Sequence, residues 1–351
     1  MRNPERDSQP DATRFLSLID ACARRRVAVI GDLMADEFVY GRVERVSREA
    51  PVLILRHDTT TISPGGAGNA ANNVAALGGV VALSGLAGRD EQGRRMLETL
   101  HDRVSRRAIV RPRDYATPVK TRILAGGVHS AKQQVVRIDR LTNGSIPSAV
   151  RQRLAIAAGS AASAADAILV SDYGLGAVAP ALVRRLLRAR STRARRRVPL
   201  VLDSRHAATA YPGITACTPN ESEVEQLLGI RIGDDRRALE EAGREMLRLT
   251  RAMALLITRG SRGMALFEPD RPTRHIPIFG SDEVADVTGA GDTVIAAMTL
   301  ALAAGATFYE AARLANYAGG LVVMKRGTAT VSADELRDAV RQDHGRRRSR
   351  G

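Results

Sequence analysis

The chain has 351 residues, of which 44% are hydrophobic and 26% charged, with a formal net charge of +15. This balance is typical of a globular protein with a large core and excludes an intrinsically disordered chain. No apolar run comes near the length of about 18 residues that a membrane-spanning helix needs, and the polar start does not resemble a secretion signal, so we expect a cytoplasmic protein without membrane contact. The two cysteines, Cys22 and Cys217, lie far apart in no metal-ligand spacing, which favours buried or idle thiols.

The positive charge is concentrated in two segments. Eight arginines lie within 184–197 and five within 341–351, and no aromatic residues alternate with them. Proteins that bind single-stranded nucleic acid usually combine basic residues with aromatic side chains on which bases stack. We therefore expect a solvated helix face and a frayed tail, and no specific nucleic-acid interface. A positive field would still help to attract a phosphorylated substrate.

Short β-type runs alternate with stretches of helical periodicity along most of the chain. The expected strands lie at 27–31, 81–85, 167–171, 199–203 and 254–258. The expected helices lie at about 69–77, 91–103, 147–164, 178–190, 220–228, 235–250, 290–304, 307–325 and 332–343. This alternation predicts βαβ units and a largely parallel sheet covered on both faces.

Two segments, 36–60 and 111–140, break this rhythm with alternating polar and apolar residues. That pattern predicts a small, separate antiparallel sheet, which would serve as a lid. The chain shows no repeat and no low-complexity linker, so we expect one domain at 14–343, with 1–13 and 344–351 as disordered tails. A small lid sheet has exposed edges, which favours a homodimer whose second subunit covers them.

A glycine-rich segment, SPGGAGNAANNVAALGG, occupies residues 63–79. Its G-x-G-x-x-A spacing, with Asp90 about twenty residues onward, fits a dinucleotide-binding fingerprint and leaves a dehydrogenase as an alternative. We disfavour it because a proline immediately precedes the glycines and no buried strand is expected to lead into them. Gly65 and Gly66 instead let the backbone approach a polar ligand, and Asn69 offers an amide to hydroxyl groups. A helix start with small residues for packing is the simpler alternative.

A second glycine motif, DVTGAGD, stands at residues 286–292 before a predicted helix. If its last four residues form the first helical turn, their amide groups and the helix dipole create a site for a phosphate-sized anion. A carboxylate at Asp292 would repel a resting phosphate, so it is better explained as a base for a hydroxyl that attacks that phosphate. Asp286 could hold a cation that offsets the negative charge, and a plain helix cap is the alternative. No Walker-type sequence occurs, which disfavours a P-loop enzyme.

Together, in this order and separation, the two motifs resemble those of the ribokinase-like (PfkB) family of carbohydrate kinases, over about residues 25–330. The segment TPNESE at 218–223 is similar to the family's N-x-x-E element, and LLITRGSRG at 255–263 to its nucleotide-flanking strand and turn. The resemblance implies a three-layer α/β/α fold with a mostly parallel central sheet and a small antiparallel β lid. It also implies an ATP-dependent phosphotransferase that uses Mg²⁺, with a monovalent cation such as K⁺ as an optional addition.

Carried onto this sequence, the resemblance implies that Asp292 is the catalytic base, and that the amides of Gly289, Ala290 and Gly291 stabilise charge on the transferred phosphoryl group. It assigns the nucleotide to Asn220, Glu221, Ser222, Glu223, Thr258, Gly260, Gly263 and Asn316, and the metal to Glu223 and Asp286. Asn220 could instead cap a helix, and Thr258 could merely end a strand.

Within the family, the segment at 29–55 and the phrases SREAPV, QQVVRID and SDYGLG resemble heptose kinases of lipopolysaccharide precursor synthesis. Those enzymes phosphorylate D-glycero-β-D-manno-heptose 7-phosphate at O1. The resemblance assigns the sugar to Asp32, Asp36, Gly65, Gly66, Asn69 and Asp172, and the distal phosphate to the lid cations Lys120, Arg122, Lys132 and Arg137. A kinase for ribose, fructose 6-phosphate or 2-keto-3-deoxygluconate, or a non-catalytic sugar-binding regulator, remains an alternative.

Three features depart from the heptose-kinase pattern. Leu175 stands where those kinases have Lys, and DSR at 203–205 replaces DPK, so Arg205 could supply a lost positive charge. An insertion-like segment at 124–134 lengthens the lid. Bifunctional relatives carry an adenylyltransferase domain after the kinase. Because the chain ends before such a domain and lacks H-x-G-H, we expect a monofunctional kinase.

Overall fold

In the computed structural model, the described residues are 11–126, 132–141, 145–191, 198–280 and 286–348. The helices are α1 (Ala12–Cys22), α2 (Ala67–Ala76), α3 (Glu91–Glu98), α4 (Ser148–Ala162), α5 (Pro180–Ser191), α6 (Glu221–Leu228), α7 (Arg236–Thr250), α8 (Ala290–Ala303), α9 (Phe308–Val322) and α10 (Ala333–Arg348). The strands are β1 (Arg26–Gly31), β2 (Leu33–Val46), β3 (Leu53–Gly66), β4 (Val80–Leu86), β5 (Val104–Val110), β6 (Val119–Gly126), β7 (Gln133–Arg140), β8 (Ala167–Asp172), β9 (Leu200–Ser204), β10 (Ala216–Cys217), β11 (Ala254–Thr258), β12 (Met264–Phe267) and β13 (Arg274–Ile276).

The central sheet has nine strands in the order β13-β12-β11-β10-β9-β8-β1-β4-β5. The strands from β11 to β5 pair in parallel, and β12 and β13 add an antiparallel edge. Parallel neighbours need long crossover connections, and the helices that provide them cover both faces of the sheet. The expected α/β class and mostly parallel sheet are therefore confirmed.

Residues of the central strands alternate between two hydrophobic cores, because successive side chains of a strand point to opposite faces. In β1, Val27 and Val29 belong to the core that contains residues of α1, α2, α8, α9 and α10. Ala28 and Ile30 belong to the second core, with residues of α4, α5, α6 and α7. Because both faces of these strands are buried, their sequences are continuous apolar runs, and this pattern predicted them.

Both cysteines are free and buried in these cores, as expected. Burial raises the pKa of the Cys22 thiol to about 12 and that of the Cys217 thiol to about 12. Thiols held so far from ionisation are poor nucleophiles and poor metal ligands, so their contribution is to packing.

The small sheet has the strand order β3-β2-β6-β7 and is separate from the large one. The pairs β2–β3 and β6–β7 are antiparallel, whereas the central pair β2–β6 is parallel. The parallel pair arises because β6 follows β2 only after the chain has passed through β4, α3 and β5 of the large domain. The insertion-like segment noted at 124–134 falls partly on 127–131, which lie outside the described residues.

The expectation of disordered tails was wrong where the structure describes the chain ends. Helix α1 begins directly after Asp11, whose side chain caps it, and α10 continues beyond its predicted end. The two helices pack together, with the rings of Phe15 and His344 5.9 Å apart. This packing explains why 11–13 and 344–348 are ordered parts of the fold, although their sequences are polar.

Other differences concern short elements. Helix α3 ends at Glu98 rather than at 103, and the chain then forms β5, which was not predicted. The edge strands β12 and β13 and the two-residue β10 were also missed, because runs of two to four residues show no measurable period. None of the helices in the described ranges is long and apolar enough to cross a membrane.

Gly243 of α7 marks a point where helix and sheet approach closely. A Cβ atom at Gly243 would lie 2.3 Å from two ring carbons of Phe267, which is fully buried. Alanine is normally about 0.5–1 kcal/mol better than glycine inside a helix. We expect the clash to reverse this preference, so that Gly243→Ala lowers the melting temperature.

Gly159 of α4 is the matched control. The nearest atom to a Cβ there is a terminal nitrogen of Arg185 at 4.0 Å. Gly159→Ala should therefore stabilise the protein by up to about 1 kcal/mol. Thermal unfolding of the two variants measures the difference, and a stabilised Gly243→Ala variant would contradict the packing described for α7.

Candidate active site

The two glycine motifs lie side by side, because α2 and α8 pack against each other. Asn69 Nδ2 of α2 donates a hydrogen bond of 2.8 Å to Asp292 Oδ2 of α8. One turn further along α2, Asn73 Oδ1 accepts a hydrogen bond of 2.9 Å from the hydroxyl of Thr293, the residue after Asp292. All four side chains are at most 3% exposed. Residues more than 200 positions apart in the chain thus form one polar contact inside the protein.

The turn before α8 requires glycine. Gly289 is the N-cap residue, and its φ is 77°. Residues other than glycine rarely adopt this backbone conformation. A Cβ atom there would lie 2.5 Å from Asn69 Nδ2, the atom that binds Asp292. Among the described residues, no side chain caps α8, and Gly291 in its first turn is exposed. This arrangement fits the anion site predicted from the sequence.

Asp292 is a buried carboxylate with two hydrogen-bond donors. Besides Asn69, the Tyr173 hydroxyl donates to Asp292 Oδ1 at 2.9 Å. Burial raises the pKa of Asp292 to about 6, although the bonds from Asn69 and Tyr173 lower it. A carboxylate with a pKa this close to neutrality suits a general base.

Two cations lie against the ring of Tyr173. Lys120 Nζ is 5.2 Å and Arg205 Cζ 4.4 Å from the ring centroid, within the range of cation–π contacts. Burial and the charge of Arg205 lower the pKa of Lys120. Within the described part of the chain neither cation forms an ion pair with a carboxylate, so the pair offers positive charge to an anion next to Asp292.

The other predicted lid cations are engaged in ion pairs, namely Arg122 with Asp36, Lys132 with Asp58, and Arg137 with Asp139. The first of these pairs is part-buried, and Gly65 makes room for it, since a Cβ at Gly65 would lie 2.4 Å from Asp36 Oδ2. Of the four cations predicted for a distal phosphate, Lys120 is thus the one that the structure leaves beside the base.

The predicted sugar-binding aspartates Asp32 and Asp172 both hold the loop after β8. Asp32 accepts hydrogen bonds from the amides of Tyr173, Leu175 and Ala177 at 2.8–3.0 Å. Burial raises its pKa, and these bonds act against that rise. Asp172 accepts from the amide of Gly174 and from the hydroxyls of Ser204 and Tyr211. In this structure both carboxylates are therefore engaged in positioning the loop that carries Tyr173.

The predicted metal and nucleotide residues Asn220 and Glu223 form a capping box at the start of α6. Each side chain accepts from the other residue's amide at 2.9 Å, which is the capping role left open above. Burial raises the pKa of Glu223. On neighbouring β9, burial and the charges of Glu223 and Asp292 raise the pKa of Asp203 well above its usual value. Sequence reasoning noted the DSR segment for its arginine and missed this aspartate.

Asp286 has a different environment from Glu223. Its carboxylate accepts from the amides of Thr288 and Gly327, each at 2.9 Å. Burial alone would raise the pKa of Asp286, but these bonds outweigh it and the pKa is lowered. Among the described residues, no group of three or more His, Cys, Asp and Glu side chains is arranged to hold a metal ion.

The remaining predicted nucleotide residues lie around β11. Thr258 ends that strand and pairs with Asn220 in an isolated parallel bridge. Gly260 begins the short helical turn that Gly263 ends, and Asn316 of α9 donates to the Pro277 carbonyl at 3.0 Å. In the segment at 218–223, Glu221 pairs with Arg259 and Arg262, and Ser222 is exposed.

The chain is similar in sequence to known proteins. The profile of the pfkB family carbohydrate kinases matches residues 24–335. The chain is 41% identical over 310 residues to bifunctional protein HldE of Geobacter metallireducens, covering 88% of this chain and 61% of that protein. It is 39% identical over 336 residues to bifunctional protein HldE of Pelobacter propionicus, covering 95% and 67%. The chain therefore spans about 61–67% of the length of these relatives.

Solved structures show the same fold. Phosphofructokinase-2 from Escherichia coli in complex with potassium aligns with a TM-score of 0.71 at 20% identity, over 91% of this chain and 99% of that one. Arabidopsis thaliana ribokinase with ribose and ATP aligns with a TM-score of 0.66 at 20% identity, over 92% and 99%. The ribokinase-like three-layer fold is thus confirmed.

The contact between Gly289 and Asn69 can be tested by measuring stability, without an activity assay. Gly289→Ala places a methyl group against Asn69 Nδ2 and strains a positive φ, so we expect a loss of about 1–3 kcal/mol in the free energy of unfolding. Gly291→Ala is the control, since its nearest neighbour would be Asp203 Oδ2 at 4.0 Å. Urea unfolding of both variants gives the comparison, and equal stability would contradict the described turn.

Proposed function

The chain belongs to the pfkB family of carbohydrate kinases, and from this premise we propose that it transfers a phosphoryl group from MgATP to O1 of D-glycero-β-D-manno-heptose 7-phosphate. Membership makes the protein a phosphotransferase that acts on a hydroxyl group of a sugar. The observation that carries the proposal is the position of Asp292, a buried carboxylate in the first turn of α8. Beside it lie two cations, Lys120 and Arg205, which form no ion pair with any described residue.

The proposed chemistry follows from this position. The acceptor hydroxyl and the γ-phosphate meet at the start of α8, and Asp292 accepts the hydroxyl proton as the new bond to phosphorus forms. Asn69 and Tyr173 hold the carboxylate in place. The amides of Gly289 and Gly291 face the charge that develops on the phosphoryl oxygens, where a fixed donor is typically worth about 3–4 kcal/mol. The amide of Ala290, also predicted for this role, instead donates to the Val287 carbonyl at 3.2 Å.

The residues present also fit the divalent ion of MgATP. Asp203 and Glu223 are carboxylates whose pKa values are raised by burial, and the charge of Glu223 raises that of Asp203 further. We propose that these two would hold Mg²⁺, directly or through water, because hard oxygen ligands suit that ion. When bound, the ion would neutralise phosphate charge. Potassium was found with phosphofructokinase-2 of Escherichia coli, and a K⁺ requirement is part of the proposal.

The heptose 7-phosphate assignment rests on two supports. The chain shares about 40% identity with proteins called bifunctional protein HldE, in agreement with the resemblance to heptose kinases. An acceptor that already carries a phosphate also needs cations, and Lys120 and Arg205 are placed to bind one. Arg205 would then supply the charge missing at Leu175. The proposal places this reaction in the cytoplasm, where ATP is available.

We also propose a homodimer formed through the small sheet. Strand β7 is an edge strand that is exposed along its whole length. Val136 and Ile138 are 44% and 49% exposed, and, being two positions apart, they project from one face of the strand. Light scattering at micromolar concentration should give a dimer, and glutamate at both positions should give a monomer. A monomeric wild-type protein would contradict this assembly.

Replacement of Asp292 tests the catalytic proposal. Asp292→Asn should lower kcat by about 10²–10⁴-fold, since it removes general-base catalysis, and should leave ATP affinity nearly unchanged. Because the base must be ionised and its pKa is about 6, wild-type activity should fall as the pH drops below 6. Asp102→Asn, at an exposed carboxylate, is the control. An Asp292→Asn variant with most of its turnover would remove this residue from the role.

The acceptor is tested by measuring ADP release with ATP and four sugars: D-glycero-β-D-manno-heptose 7-phosphate, fructose 6-phosphate, ribose and 2-keto-3-deoxygluconate. The heptose phosphate should give the highest kcat/KM. Lys120→Gln should raise its KM about 10-fold or more, the usual effect of losing a charged hydrogen bond. Arg137→Gln should change it little, since Arg137 pairs with Asp139 at the surface. A higher kcat/KM for another sugar would overturn the assignment.

A further inference from the structure

Tyr173 is the second hydrogen-bond donor to Asp292, and nothing in the sequence motifs assigns it a role. It follows directly after β8, and its hydroxyl lies 2.9 Å from Asp292 Oδ1. The two donors divide the carboxylate between them, since Asn69 binds Oδ2. The base is therefore oriented by one residue from the glycine helix α2 and one from the loop after β8.

The ring of Tyr173 is fixed by several elements of the fold. Its amide donates to Asp32 Oδ2 at 2.8 Å, which anchors the backbone. Arg205 and Lys120 lie against the ring, from the segment after β9 and from β6. A Cβ atom at Gly66 would lie 3.4 Å from the Tyr173 ring, so the start of α2 closes another side. A ring so confined holds its hydroxyl at a defined point.

The proton of this hydrogen bond belongs to Tyr173. Burial and the charge of Asp292 raise the pKa of Tyr173 well above its usual value, so the hydroxyl stays protonated and donates to the ionised carboxylate. A bond to the ionised form of Asp292 favours that form. The charged groups that influence this pair are Asp36 on β2, Asp203 on β9 and Arg205 directly after β9. Lys120 of β6 lies against the Tyr173 ring.

We propose that Tyr173 is a positioning residue that keeps Asp292 ionised and aims its free lone pairs at the acceptor hydroxyl. Tyr173 itself neither accepts nor delivers the transferred proton. This inference rests on the proposed function for its catalytic meaning, but the interaction between the two side chains can be measured without any substrate.

Tyr173→Phe removes the hydroxyl and keeps the ring that Lys120 and Arg205 contact. The midpoint for titration of the Asp292 carboxyl carbon, followed by ¹³C NMR and assigned with Asp292→Asn, should rise by about one pH unit. In the kinase assay, the acid limb of the pH profile of kcat should shift to higher pH by the same amount, and kcat should recover at higher pH. The KM for ATP should stay nearly constant.

Tyr317→Phe is the matched control, because this buried tyrosine of α9 also donates to a carboxylate, that of Asp343 on α10, at 2.6 Å, and does not contact Asp292 in the described structure. It should lower thermal stability and leave the Asp292 midpoint unchanged. A Tyr173→Phe protein with an unchanged midpoint, or one that no longer folds, would overturn the inference. If the midpoint shifts but the wild-type enzyme phosphorylates none of the four sugars, the proposed function fails while the positioning role stands.

Discussion

The hydrogen bond between Asn69 and Asp292 is the contact on which the candidate site depends. It joins the first turns of α2 and α8, which are 223 residues apart in sequence, and it places a carboxylate inside the protein. An ionised carboxylate without partners is costly to bury, so the donors must be in place before the group can act at neutral pH. The left-handed turn at Gly289 is the backbone feature that leaves room for this bond. The small residues of both motifs therefore make room for this hydrogen bond, as well as allowing a ligand to approach the backbone.

Around this contact, three carboxylates and two cations are crowded together. Burial and the charges of Glu223 and Asp292 raise the pKa of Asp203, and the charge of Arg205 acts against that rise. Lys120 and Arg205 lie against Tyr173, where burial and the charge of Arg205 lower the pKa of Lys120. Both groupings are unfavourable in the isolated protein. A ligand that combines several phosphates with a divalent cation would relieve both, and the protein is thereby shaped for the charge distribution of its substrates.

Much of this arrangement could be predicted from the sequence. The large parallel sheet was recognisable because its strands are buried on both faces, and the helix at 290–304 because of its glycine turn and its apolar length. Contacts between distant segments could not be predicted, since neither periodicity nor spacing reports which side chains meet. Asn69 was expected to bind a sugar, and the structure shows it bound to Asp292. Tyr173 and Asp203 were missed for the same reason, because each gains its importance from neighbours on other elements.

The parallel pairing of β2 with β6 also constrains how the chain reaches its native state. Asp36 and Lys120 are register partners although the segment between them includes α2, β4, α3 and β5. The small sheet cannot assemble as an isolated hairpin, because its central pairing closes a loop through the large domain. Its completion should come late in folding, after the amino-terminal half of the large sheet has formed. Lys120 would then reach its position beside Asp292 only after the amino-terminal half of the large sheet has folded.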